Sequence, residues 1–121
     1  MVLAIVDDLL FRSKISATAK AVGATIAAAT TADAAITRAH EVKPSLILLD
    51  LDSARTQPFE VLRRLAADRE LAGIPTIGFV SHVHASAIQQ ARALGITQVL
   101  ARSAFAESLP EILTRERDER R

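Results

Sequence analysis

Two short stretches gather negative charge directly behind apolar runs. "AIVDD" ends on Asp7 and Asp8, and "LILLDLD", residues 46–52, carries Asp50 and Asp52. An ionised carboxylate taken out of water must find a cation, a donor set or a proton. If Asp7, Asp8 and Asp50 converge, their repulsion is best relieved by a hard divalent cation with oxygen ligands, and magnesium is the natural choice. That cation would neutralise an incoming phosphoryl group and leave one carboxylate free to attack phosphorus in line, with Asp50 best placed. Without the metal, three packed carboxylates are expected to cost stability, so that Asp7→Asn or Asp8→Asn raises the melting temperature in chelator. The plainer reading is that each aspartate caps a helix or turn. His82 and His84 in "SHVHAS" point different ways at a helix start and read as solvated loop residues. His40 sits near a helix end, where it favours the dipole.

What could bring these acids together is an alternation of short β-rich apolar runs with longer segments of helical period, the pattern of a parallel sheet covered on both faces. Strands are expected at Val2–Val6, 24–29, Ser45–Leu49, Thr76–Val80 and 97–101. Helices are expected over Leu9–Val22, Ala32–Val42, Phe59–Glu70, Ala85–Leu94 and Ala104–Arg117. Asp8 can cap the first helix, Gly23 ends it, and Pro44, Pro58 and Pro75 mark later boundaries. The result is five βα units, in which Asp7, Asp8 and Asp50 all fall at carboxyl ends of strands, where open parallel sheets bind ligands.

Length and composition set the outer bounds. One compact domain fits 121 residues of which 50% are hydrophobic and 24% charged. With 15 basic and 14 acidic residues the net charge is +1, too weak a field to argue for direct contact with nucleic acid or an anionic membrane. The absence of cysteine rules out disulfides and thiolate chemistry and is compatible with a reducing cytoplasm. "MVLAIVDD" is far shorter than the roughly 20 residues of a membrane span and lacks a basic leader region, so a soluble, unprocessed chain is expected. "TRERDERR" reads as a solvated helix end, or else as a linker to a further domain.

The residues as a set resemble the receiver domain of two-component response regulators. "AIVDD", "KPSLILLD", "IPTIGFVS" and "ALGITQVLARSAF" carry the likeness, which covers nearly the whole chain. It implies a flavodoxin-like (βα)5 three-layer sandwich with a five-stranded parallel sheet in order 2-1-3-4-5. The receiver domain would span residues 1–117 and a charged tail 118–121. By the same resemblance Asp7 and Asp8 match the acidic metal pair and Asp50 the phosphoryl acceptor. Asp52 would lend its backbone carbonyl to Mg2+ while its side chain faces solvent. Ser81 matches a hydroxyl that senses the acyl phosphate, though it could equally cap a helix. Arg102 stands where the family has a lysine that pairs with phosphoryl oxygens, and could instead form a salt bridge with one of the aspartates.

Several positions depart from the family pattern. Ser53 and Ala54 replace a Met-Pro step, Gln57 and Pro58 an Asp-Gly pair, and Ser103 a proline often preceded by a cis bond. Val99 replaces an aromatic switch residue, and Arg102 brings a planar fork in place of a compact ammonium. The resemblance implies a stand-alone receiver in a phosphorelay. It would take a phosphoryl group on Asp50 from a histidine kinase or phosphotransfer protein with Mg2+ and pass a signal to a downstream protein. It would turn over no metabolite and work in the cytoplasm. A face of fourth helix, fifth strand and fifth helix, exposing Gln89, Gln90 and Arg92, would serve partners or a homodimer. The alternative is a pseudo-receiver, a protein-interaction module independent of phosphorylation. A small Asp-nucleophile phosphohydrolase is a third reading, disfavoured because its Asp-x-Asp follows the first strand.

Overall fold

A strand turns successive side chains to opposite faces, so a run that is apolar throughout needs cover on both. The computed structural model, which describes residues 1–81 and 85–119, supplies that cover. Its order is β1 (Val2–Ile5), α1 (Leu9–Val22), β2 (Ile26–Ala29), α2 (Ala32–Val42), β3 (Leu46–Asp50), α3 (Pro58–Ala67), β4 (Thr76–Val80), α4 (Ala85–Ala93), β5 (Gln98–Ala101) and α5 (Arg102–Glu119). All strand pairs are parallel, in the order β2-β1-β3-β4-β5. Leu3, Ile5, Ile47 and Leu49 join one core with residues of α2 and α3, and with Ala91 of α4. Val2, Ala4, Leu46 and Leu48 join the other with Ile15 and Ala19 of α1 and Phe105, Leu109 and Leu113 of α5. The three-layer sandwich expected from the sequence is therefore present.

Local signals explain the boundaries that matter for the site. Asp8 caps α1 by accepting the Phe11 N–H at 3.2 Å, and Gly23 closes that helix at φ 78°. Thr31 caps α2 in the same way through Ala34 N–H. Helix α3 stops at Ala67, short of the expected Glu70, because Asp68 leaves helical geometry and its carboxylate takes the Glu70 N–H at 2.9 Å. Helix α5 begins at Arg102, two residues earlier than expected, directly off the end of β5, and continues to Glu119. Gly78 of β4 is required by close packing, since a Cβ there would lie 2.7 Å from Ile96 and 2.8 Å from Leu51. No helix among the described residues is long and apolar enough to cross a membrane.

Candidate functional site

Between β1 and β3 the sheet order reverses, and chain crossing from neighbouring strands in opposite directions leaves a crevice beyond their carboxyl ends. Register places Ile5 beside Leu49, so Asp7 and Asp8 emerge next to Asp50. A cleft of about 400 Å³ opens there, and Asp7, Asp8, Asp50, Asp52, Ser81 and Arg102 all line it, with Ser53, Ala54 and Arg55. Every site residue read from the sequence thus reaches one cleft.

Asp50 lies at its floor, 4% exposed. One carboxylate oxygen, Oδ1, accepts the Asp52 N–H at 3.0 Å, and Oδ2 lies 3.7 Å from Arg102 Nη2. Burial pushes its carboxyl above the ordinary aspartate value, against the pull of the Asp52 N–H and Arg102. Asp8 goes the other way. The Phe11 N–H holds its carboxyl below the ordinary value, and Arg102 adds to the effect by donating from Nη2 to Asp8 Oδ2 at 3.3 Å. Asp7 faces Arg55 at 3.8 Å.

Arg102 is held from the side by aromatic rings. Its guanidinium carbon sits 4.4 Å from the centroid of Phe11 and 5.6 Å from that of Phe79, distances that suit a cation over a π face. Phe11, Phe79 and Phe105 pack as a trio, with Phe79 and Phe105 stacked at 4.5 Å. Arg102 Nε is buried and has no hydrogen-bond partner among the described residues.

The expected repulsion among three carboxylates is accordingly replaced by pairing, with Arg102 between Asp8 and Asp50 and Arg55 beside Asp7. Magnesium does not fit this side-chain arrangement. No group of three carboxylate or imidazole side chains among the described residues is placed to hold a metal ion, and the guanidinium stands where Asp8 and Asp50 would share one.

The loop after β3, which departs from the family pattern, is built locally. Thr56, fully buried, donates its N–H to Ser53 Oγ and its hydroxyl to the Ser53 carbonyl, both at 3.3 Å. The Asp52 side chain is exposed, as expected, and its carboxylate also accepts the Ser81 N–H at 2.5 Å. Whether Ser81 also caps α4 turns on residues 82–84, which lie outside the described residues, as do His82 and His84. Phe11 and Arg55 were not singled out for the cleft from the sequence. Phe11 carried a signal, because it follows the Asp8 cap by three residues and so returns to the cleft end of α1.

No family model and no curated protein sequence matches this chain. Solved structures do. Chemotaxis protein CheY4 of Vibrio cholerae superposes with a TM-score of 0.83 at 22% identity, covering 95% of this chain and 96% of the other. This chain has the receiver fold. The phosphorylated cyanobacterial phytochrome response regulator RcpA superposes on it at 0.77 and 18% identity, over 93% of this chain and 87% of the other. The Mn2+-bound form of response regulator Rcp1 gives 0.75 and 19%, over 93% and 88%. Within the receiver fold of this chain, Val99 is a half-buried residue of β5 packed against the core, and Gln89, Gln90 and Arg92 are exposed on α4.

Proposed function

We propose that this chain is a receiver that accepts a phosphoryl group on Asp50 from a histidine kinase or phosphotransfer protein. The observation that carries the reading is the placement of Asp50: buried at the cleft floor, one oxygen tied to the Asp52 N–H and the other turned toward Arg102. Fixing one oxygen presents the other for in-line attack. In the transfer, that oxygen forms a bond to phosphorus while the phosphorus–nitrogen bond of the donor phosphohistidine breaks and its electron pair returns to the imidazole. Arg102 balances charge on the phosphoryl oxygens, and its unsatisfied Nε–H is a donor in reserve. Phosphorylated RcpA shares the fold and lends support by analogy. Mg2+ enters this reading only in competition with Arg102.

The product is an acyl phosphate on the protein itself, so no metabolite is turned over. Output follows from altered affinity for a downstream protein or a second copy through the face of α4, β5 and α5, in the cytoplasm. Intact-mass measurement after incubation with a small acyl phosphate donor tests the reading. One labile phosphoryl adduct that disappears in Asp50→Asn supports it, and no adduct at all refutes it. Light scattering with and without beryllofluoride tests the dimer, which a monomer in both states would exclude.

A second reading, the phosphorylation-independent pseudo-receiver, is favoured by one observation. Arg102 already supplies Asp8 and Asp50 with a counter-charge, so the cleft is balanced without phosphate.

A further inference from the structure

Receiver-fold clefts that gather acids at the sheet switch point need a cation, and here the chain provides its own. We propose that Arg102, stacked on Phe11 and bridging Asp8 to Asp50, is the resident counter-cation of the cleft and excludes a divalent metal ion from it. The inference deepens the receiver reading and rests on it only for the identity of the cleft.

Three features set Arg102 in this role. Its Nη2 reaches both Asp8 Oδ2 and Asp50 Oδ2, at 3.3 and 3.7 Å, so a single nitrogen spans the two carboxylates a metal would bridge. Its guanidinium lies over the Phe11 ring, and that ring is itself packed on Phe79 and Phe105, which limits the swing of the side chain. Its attachment point is rigid, because α5 starts at Arg102 with no loop after β5. A lysine ammonium would lack the flat face that stacks and the fork that spans.

Competition for the same two oxygens follows. Divalent cations bind by collecting carboxylate oxygens, so an arginine that holds two of them must leave before the metal enters. Phe11 acts as a positioning residue, since its ring lies against the Arg102 guanidinium and carries no charge of its own.

The test is titration of the full chain with MgCl2 alone, read by calorimetry and by melting temperature, with no phosphoryl donor present. The wild-type chain is expected to give no binding heat and no rise in melting temperature at about 10 mM Mg2+, while Arg102→Gln binds at least roughly tenfold more tightly and melts higher with metal. Phe11→Leu, which leaves every charge in place, is expected to fall between them and serves if Arg102→Gln does not fold. Adding Asp50→Asn to either variant should remove the gain. Wild-type binding as tight as that of the folded variants overturns the proposal, as does a variant gain that survives Asp50→Asn. Because phosphoryl acceptance is read separately by mass, failure here and failure of the receiver reading are told apart.

Discussion

The carboxylate of Asp52 accepts the backbone N–H of Ser81, tying the loop after β3 to the end of β4. Asp50 and Asp52 therefore have different work although they share a strand parity. Asp50 stays buried at the floor while the exposed Asp52 ties its loop to Ser81 beyond the neighbouring strand β4. The adduct is accordingly expected to vanish in Asp50→Asn and to persist in Asp52→Asn, as read by intact mass. Its survival in the first and loss in the second would reverse the two roles.

Arg102→Ala is expected to slow adduct formation on the order of 10²-fold, the usual cost of removing one preorganised charged donor from a developing anion. Time courses of intact mass with the acyl phosphate donor give the ratio directly. An unchanged rate would remove Arg102 from the chemistry.

Asp8 and Asp50 should respond to neutralisation with opposite signs. The carboxyl of Asp50 is raised above 3.8 by burial, so its contribution to stability is complete below that pH and is lost as pH rises through its folded value. Asp50→Asn should therefore raise the melting temperature at pH 7 and lose that advantage in acid. For Asp8, lowered from 3.8 by the Phe11 N–H and Arg102, the contribution is present above 3.8 and lost as pH falls through the folded value. Asp8→Asn should lower the melting temperature at pH 7, contrary to the repulsion argument from the sequence. Equal shifts for both variants would contradict the pairing described for Arg102.

His40 lies away from the cleft, its Nε2 2.7 Å from Asp68 and its Nδ1 3.2 Å from Glu70, so it clips α2 to the segment after α3. The hydrogen bond to Asp68 raises its proton affinity above the ordinary 6.5. Its contribution is thus full below pH 6.5 and lost as pH rises through the folded value. His40→Gln should lower the melting temperature at pH 6 and leave it unchanged well above that window. A deficit that is constant with pH would mean packing rather than charge.

Gly78→Ala should cost about 1–3 kcal/mol, the usual range for overpacking a filled core. The neighbours Ile96 and Leu51 are buried and offer the new methyl only contacts of 2.7–2.9 Å. Chemical denaturation measures the loss, and an unchanged midpoint would show that the core yields there.

Both faces of the sheet were legible in the sequence because β1 and the run from Leu46 to Leu49 of β3 are apolar at every position and the helices are not, whereas the strand order was legible only through the resemblance to receiver domains. The bounds of α1 and α2 were legible too, since Asp8, Gly23 and Thr31 are local signals acting over three or four residues. Asp7, Asp8 and Asp50 were legible as sharing a site because they follow strand ends, Asp52, Ser81 and Arg102 only through the resemblance, and Arg55 and Phe11 were not singled out at all. How these residues pair was not legible. The seat of Arg102 on Phe11 depends on packing between α1 and α5, residues 91 positions apart (102 − 11), which no local pattern reports. The early end of α3 depends on a side chain, that of Asp68, competing with the helix for a backbone N–H.

The aromatic trio also makes the cleft visible to light. With no tryptophan or tyrosine and only four phenylalanines in the chain, three of them in the stack beside Arg102, near-ultraviolet circular dichroism arises largely from rings within reach of the site. Any event that shifts the guanidinium off Phe11 therefore alters an intrinsic optical signal without a label, and a titration of the cleft can be followed on the unmodified protein.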